Sequence, residues 1–497
     1  MADLTPYSTA RSMMGPLPSW LPPDDAERIS AYQVYESLYR NVPDAFKLVQ
    51  RGSDQNPIYI PNARTLIEAT NRFLAKNWTF ALDPKMGTPE ERELLQSTLT
   101  NVFRREQVHA KFATQKRYGL VRGDSIWHLT VDEDKEPGKR ISLYEIDPAE
   151  YFPIHDEEDN DRLVGCHLVT QFVDGDATII RRQTYRKEDD GGISYELSWW
   201  ELSAWDDRTG SGQELKKVNT PSGQEAISAE MLNPLVTSIP VYHVKNNRVP
   251  GSPFGASELE GLERIFGAVN QAISDEEVAL AMDGLGLYAT TSGPPVDEND
   301  EEINWRIGPG YVVEIDEGTT WERVSGVTSV APNLDHIQYL EKSMRNAAGV
   351  PDIAIGNVDT AVAQSGIALS FHMGPLLAKN EEKELEILSV MDHMLYDITT
   401  MWLPAYEQLS TAAQAVSIVG DPLPVDRQAT LAEITSLVDK QLISISYAQQ
   451  LLSEKLGYEF PDEMLADVVE EQAALAEARN FDPFAARVAR ELDGDGA

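Results

Sequence analysis

Three groupings in this chain place residues of reactive type at spacings that could do chemistry. His155 and Glu157 form an HxE pair, which in zinc deaminases supplies a metal ligand and a proton-transferring glutamate. The PCxxC half of that signature is missing, and Cys166 is the single cysteine of the chain, so the thiolate ligands are absent. Asp132, Glu133 and Asp134 are carboxylates of the kind that hold Mg²⁺, but they stand between two strand-like segments, where acids decorate turns. The third grouping is a run of acids, Glu258, Glu260, Glu263, Asp275, Glu276 and Glu277, with Arg264 inside it and Lys342 further on. Such a run repels phosphates, or it is an ordinary solvated helix face.

No GxxxxGK[ST] loop is present to cradle a nucleotide, and no HExxH helix offers a zincin site. The Arg122-Gly123-Asp124 triplet is expected by chance in a chain of this length. The eight histidines are scattered, and His167 and His243 fall in strand-like segments, where structural burial is the expectation. The reading is therefore not an enzyme, with no catalytic residues, no metal and no cofactor. A metal-dependent nuclease is the least favoured alternative, kept because carboxylates are abundant.

Charge narrows the classes further. The 497 residues carry 81 acids against 42 Lys and Arg, a formal net charge of −39. Tight binding to a nucleic-acid backbone needs cations against phosphates, so it is disfavoured, while passing contact with DNA is not. The length suits roughly two to four domains. Hydrophobic residues make up 42% of the chain, enough for packed cores rather than disorder. No apolar run is long enough for a membrane span, and the start lacks the pattern of a secretory signal. One cysteine permits no internal disulfide and fits a reducing compartment.

The elements that must position these groups follow from periodicity. Residues 25–76 read as helical. Tyr32, Tyr35, Leu38 and Tyr39 form an apolar stripe, Asp24 offers a cap, and Pro61 and Asn62 open a second helix through Leu66, Phe73 and Leu74. Residues 89–121 read as one further helix. The period then changes to two: 126–131, 141–146, 164–172, 177–185 and ISYELSWWE from Ile193 read as antiparallel strands, with turns at 173–176 and 188–192. In the last strand Ile193, Tyr195, Leu197 and Trp199 share one face, and Ser194, Glu196 and Ser198 the other. Residues 209–230 read as a polar loop, and 240–244 as a closing strand.

The Pro- and Gly-rich 246–262 reads as a boundary, with Ser257 starting a helix that runs to Met282. A short strand-like insert and a second helix over 333–348 follow. Gly349, Pro351, Gly356 and Gly366 predict a mobile loop. A long helix over 376–402 carries Leu385, Leu388, Met391, Leu395, Ile398 and Trp402 at helical spacing, until Pro404 interrupts it. Further helices are expected over 426–440, 444–456, 461–477 and 482–492. The fold class is α+β.

The passages PGSPFGASELEGLERIFGAVNQAISD, GVPDIAIGN and SGIALSFHMGPLLAKNEEKE, in that order, resemble the centre of a tailed-bacteriophage portal protein of the SPP1-type family, in its actinobacteriophage-like branch. The resemblance is strongest over 250–400 and weakest in the first 25 and last 40 residues. It implies a portal fold assembled as a ring, with helical wing and crown, paired stem helices and a small α/β clip. The parts would be an N-terminal arm over 1–25, wing over 26–250, stem helix over 251–283, clip over 284–331, second stem helix over 332–350, tunnel loop over 351–366, long helix and remaining wing over 367–460, and crown and tail over 461–497.

The same resemblance implies a virion protein at the portal vertex of the capsid, assembled in the host cytoplasm as a dodecamer. It would conduct double-stranded DNA without sequence specificity during packaging and ejection. Its partners would be further copies of itself, the major capsid protein, the terminase large subunit, then the head-tail adaptor, and in some relatives a scaffold, with no membrane. The acids from Glu258 to Glu277 and Lys342 would belong to the stem and channel. Asp352, Asn357, Asp359 and Thr360 would belong to a tunnel loop that has no Lys or Arg over 351–366 and so cannot pair with phosphates. Trp305, Tyr311 and Trp321 would anchor clip contacts, or fill the clip's own core. The alternative from another class is a capsid-associated structural or adaptor protein without a DNA channel.

Overall fold

A computed structural model describes residues 5–6, 23–50, 56–156, 158–159, 161–174, 177–202, 215–218, 226–285, 287–295, 301–302, 315–324, 331–357, 366–420, 427–440, 442–443, 448 and 451–452. The chain divides into one unit over Met1–Pro422 and another over Leu423–Ala497. In the first unit, β1 (Thr5–Pro6) precedes α1 (Pro23–Tyr39), so Asp24 lies inside the first turn and not ahead of it as a cap. Then come α2 (Asn62–Arg72), β2 (Trp78–Leu82), α3 (Pro89–Arg105) and α4 (Val108–Arg122). Helix α3 opens on a capping box, in which Thr88 Oγ1 accepts from Glu91 N and Glu91 Oε2 accepts from Thr88 N, with Pro89 in the first turn.

The single helix expected over 89–121 is two. Glu106 turns its carboxylate to Leu143 N and to Lys111, and Gln107 takes a left-handed conformation at φ 51°. A side-chain bond to a strand distant in sequence outweighs helix continuity there.

Strands β3 (Asp124–Val131), β4 (Ile141–Ile146), β5 (Tyr151–His155), β6 (Leu163–Asp174), β7 (Ala177–Lys187) and β8 (Ile193–Leu202) follow. The expected polar loop over 209–230 contains β9 (Leu215–Val218) and β10 (Ile227–Met231). Strand β11 (Val241–Lys245) pairs with β3, giving the antiparallel order β11-β3-β4. The larger sheet runs β1-β6-β7-β8-β10, with β5 on β6 and β9 on β8. In β8 the alternation is partial: Ile193 and Trp199 are buried, and so are Ser194 and Ser198.

Next come α5 (Glu263–Leu285), β12 (Leu287–Thr290), β13 (Trp321–Val324) and α6 (Ala331–Ala348). The 3-10 turn Asp352–Ile355 leads to α7 (Gly366–Asp397), the π turn Ile398–Trp402, α8 (Leu403–Tyr406) and β14 (Ala415–Val419), which pairs with β2. The long helix starts ten residues earlier than expected and passes through Pro375. The π turn rephases it, so that Trp402, Leu403 and Tyr406 all reach the core, and Pro404 sits harmlessly in the first turn of α8. Leu385, expected on the apolar stripe, is exposed. In the second unit, α9 (Arg427–Asp439) matches the helix expected over 426–440; those expected over 461–477 and 482–492 lie outside the described residues, as does most of the one over 444–456. Among the described residues no helix is long and apolar enough to cross a membrane.

The main core gathers α2, α3, α4, the three-stranded sheet and α7 around Trp78, Trp127 and Trp402. Trp78 lies 4.9 Å from Phe103 and 5.8 Å from Trp127 between ring centres. Cys166 is free and buried in a smaller core of the large sheet.

The Arg122-Gly123-Asp124 triplet, read as chance, is a junction. Buried Arg122 pairs with Asp147 and Glu36. Asp124 accepts from Tyr32 OH at 2.5 Å and Gly255 N at 2.8 Å, and its other neighbour is His243 Nε2 at 2.7 Å. A Cβ on Gly123 would meet Gly255 O at 2.5 Å.

Gly255→Ala is therefore expected to destabilise the chain by about 2 kcal/mol or more, from forced separation of two backbones. Gly374→Ala, in open space on α7, is expected to be neutral or stabilising by roughly 0.5 kcal/mol. Urea unfolding midpoints of the two variants check the contrast; equal midpoints contradict the close approach at Gly255.

Candidate functional site: the paired helices and their root

Helices α5 and α6 pack on each other, and the antiparallel ladder β12–β13 joins them, Leu287 opposite Val324 and Thr290 opposite Trp321. Among the described residues the pair is buried at one end. Phe266, Val269, Asn270 and Ser274 of α5 and Met344 and Ala348 of α6 are buried, whereas residues 332–336 of α6 are all exposed and Tyr339 is 67% exposed. An α-helix with open sides and apolar residues on them is one that expects a neighbour.

The root is set by residues ahead of α5. Ser257 does not start a helix. Its hydroxyl donates to Val121 O at 2.6 Å, Glu258 N donates to Leu120 O, and Gly123 N donates to Gly119 O. These bonds satisfy carbonyls that the end of α4 leaves open. With Ser257 committed to α4 and Gly261 left-handed at φ 79°, the helix begins at Glu263. The segment 246–262, expected as a boundary, is thus a packed turn.

Glu258, expected among the channel acids, is buried at this root with its side chain 5% exposed. It pairs with Lys379 and, at 3.0 Å, with Lys383, and accepts from Asn246 Nδ2 and Asn247 Nδ2 at 2.9 and 3.0 Å. Burial alone would raise its pKa. The Lys379 and Lys383 ammoniums more than offset this and hold it at about 2. Burial lowers the pKa of Lys383, against the pull of Glu258. Lys379 Nζ also donates to Ala348 O, the last residue of α6. Sequence reasoning missed both lysines. The available signal was that Lys383, Ile387 and Met391 repeat every four residues on the stripe that faces the core.

The other acids separate. Glu260 is exposed in the turn, and Glu263 is half-buried. Burial, then Glu260 and Glu263, push Tyr35 on α1 up to about 12, so both acids stand beside α1. Glu263 and Arg264 line an open cavity of about 790 Å³ between α1, the 42–48 turn and α5. Asp275 accepts from Gln271 Nε2. Glu276 is buried and its two oxygens accept no hydrogen bond, so it lines no open surface of this chain. Glu277 and Lys342 are exposed.

The loop after α6 is not free along its length. Asp352 pairs with Arg345 of α6 at 2.5 Å, Ala354 is buried, and Asn357 N closes the turn on Asp352 O. Asn357 is exposed, while Asp359 and Thr360 lie outside the described residues. Trp321 is half-buried in β13; Trp305 and Tyr311 lie outside the described residues. Asp132, Glu133 and Asp134 sit between β3 and β4, and Glu157 lies outside the described residues. Among the described residues no group of three or more His, Cys, Asp or Glu could hold a metal ion.

No family model and no curated protein matches the chain. Among solved structures it is similar to a chain of the virion of a native gene transfer agent particle, at 13% identity and TM-score 0.42, covering 89% of this chain and 97% of that one. It is similar, at the same identity and coverage, to chains of the neck of the empty particle computed with C6 symmetry, TM-score 0.44, and of the native particle computed with C12 symmetry, TM-score 0.43.

Glu258→Gln is expected to cost about 3 kcal/mol, because the buried Lys383 ammonium and the partly buried Lys379 lose their counter-charge. Since the folded pKa of Glu258 lies below its ordinary value, its contribution is complete above about pH 4.5 and is lost as pH falls towards about 2. Urea titrations of wild type and variant across that range check both statements: the difference between them should shrink on acidification.

Proposed function

We propose that the chain is a ring-forming portal protein of a tailed bacteriophage, the conduit for double-stranded DNA at one capsid vertex. The observation that carries the reading is the pair α5 and α6, anchored at one end, exposed at the other, and joined through β12–β13. The ordered passages that resemble a portal protein fall on the root and first part of α5, on the turn that follows α6, and on α7. In this reading copies pack side by side as a dodecamer, α5 and α6 form the stem, and the hairpin end is the clip. The clip meets the terminase large subunit during packaging and the head-tail adaptor afterwards, while the sheets and core form the wing against the capsid shell.

The chemistry suits passage rather than grip. A net charge of −39 and a 351–366 segment without Lys or Arg hold phosphates off the wall. Glu277 is exposed on the stem, with Glu260 and Glu263 nearer its root. Asp352 is tied to Arg345, so the base of the tunnel loop is fixed to the second stem helix. Self-repulsion between such acidic copies makes assembly depend on salt.

Mass photometry of the purified chain at low and at elevated salt tests this. The reading expects closed rings of a fixed stoichiometry near twelve, favoured at elevated salt; a chain that stays monomeric under both conditions, even at high concentration, counts against it.

A further inference from the structure

In a chain this acidic, an open cleft beside β11 carries more basic than acidic side chains. It lies between the ends of β5, β7 and β11, residues 161–163 and α7, and has a volume of about 500 Å³. Four basic side chains line it, Arg162, Lys187, Lys245 and Arg248, against two carboxylates, Asp161 and Glu386. Its floor is apolar, from Ile239 and Val241. Lys245 is the informative member. Its side chain is 9% exposed, and its ion partner is Asp161, at 2.7 Å, on a turn where Asp161 itself is 56% exposed. A desolvated ammonium needs an anion, and here the anion is borrowed from the surface. Arg248 is held from behind by Glu386, at 2.9 and 3.2 Å, and reaches Asp161 with its remaining nitrogen at 3.0 Å. Lys187 is exposed at the end of β7 and makes no ion pair among the described residues.

We propose that this cleft is a docking site for a carboxylate-bearing peptide segment of a partner chain, with Asp161 occupying the partner's place when the site is empty. Exchange of Asp161 for an incoming carboxylate keeps Lys245 and Arg248 paired throughout, so the desolvation cost of the two cations is not incurred again. Lys187 then supplies further attraction for a segment with more than one acid, and Arg162, exposed and only loosely paired with Asp156 at 3.4 Å, adds to it. The cleft is far larger than a single oxyanion requires, and its apolar floor suits peptide backbone and methylene groups. A DNA duplex is too wide for it and is repelled by the rest of the chain. The proposal does not depend on ring assembly.

The test uses the full chain and a fluorescently labelled octapeptide of alternating Glu and Gly, followed by anisotropy, with inorganic phosphate and a short DNA duplex as separate competitors. The expected result is salt-sensitive binding of the peptide, tightened roughly tenfold by Asp161→Asn, which removes the internal competitor, and weakened by a similar factor in Arg248→Gln and in Lys187→Gln. Arg248 and Lys187 are exposed, so these two variants decide the matter even if Asp161→Asn does not fold. Absence of peptide binding, or binding indifferent to Arg248→Gln and Lys187→Gln, overturns the proposal. So does strong displacement of the peptide by phosphate at low millimolar concentration or by the duplex, which would mark a phosphate site instead.

Discussion

The carboxylate of Glu258, buried between Lys379 and Lys383, is the constraint on which the arrangement of the rest depends. A buried ion is tolerated only when counter-charges and hydrogen bonds surround it, and the partners here come from two distant parts of the chain. Asn246 and Asn247 follow β11, the lysines belong to α7, and Lys379 bonds the end of α6 as well. The same turn closes α4 through Ser257 and approaches it at Gly123 and Gly255. The roots of α5 and α6 are thereby fixed to the three-stranded sheet and to the long helix at one point, while residues 332–336, at the far end of α6 towards β12–β13, are exposed. A lever with a stiff root and an open tip is the mechanical content of the proposed stem and clip.

How much of this was legible depended on whether the deciding interaction was local. Strands β3, β4, β6, β7 and β8 were legible because alternation and turn residues are local signals, and ISYELSWWE falls within a strand that the structure places at Ile193–Leu202; β5 (Tyr151–His155), short and interrupted by Pro153, was not. The start and path of α7 were not. Gly366, Gly374 and Pro375 weaken a helix in isolation, and packing of Met373, Leu376 and Ile387 outweighs them. The break at Gln107 carries no Gly or Pro, because Glu106 bonding to β4 makes it. Ser257 with its neighbouring acids has the composition of a helix start, yet its hydroxyl serves another helix.

The candidate site was legible as a layout and not as a chemistry. The order helix, insert, helix, loop, long helix is in the sequence. The acids within it were not separable by pattern, since Glu258, Glu276 and Glu277 differ only in what surrounds them. One is an internal counter-ion, one is buried without a hydrogen bond, and one faces solvent. The acidic wall of the proposed channel therefore rests on the remaining exposed carboxylates and on the net charge, not on every acid on the segment. The cationic cleft at Lys245 was invisible in composition, because its members come from elements far apart in the sequence.

The central claim is that α5 and α6 surround a passage for DNA, and an electron cryo-microscopy reconstruction of the assembled chain tests it most directly. The account predicts a closed ring in which the α5–α6 pairs line an axial channel wide enough for a duplex, with the β12–β13 end at one mouth and the Glu258 root towards the wider body. A ring whose α5–α6 pairs lie on the outer rim, or a closed assembly with no axial opening, would contradict it.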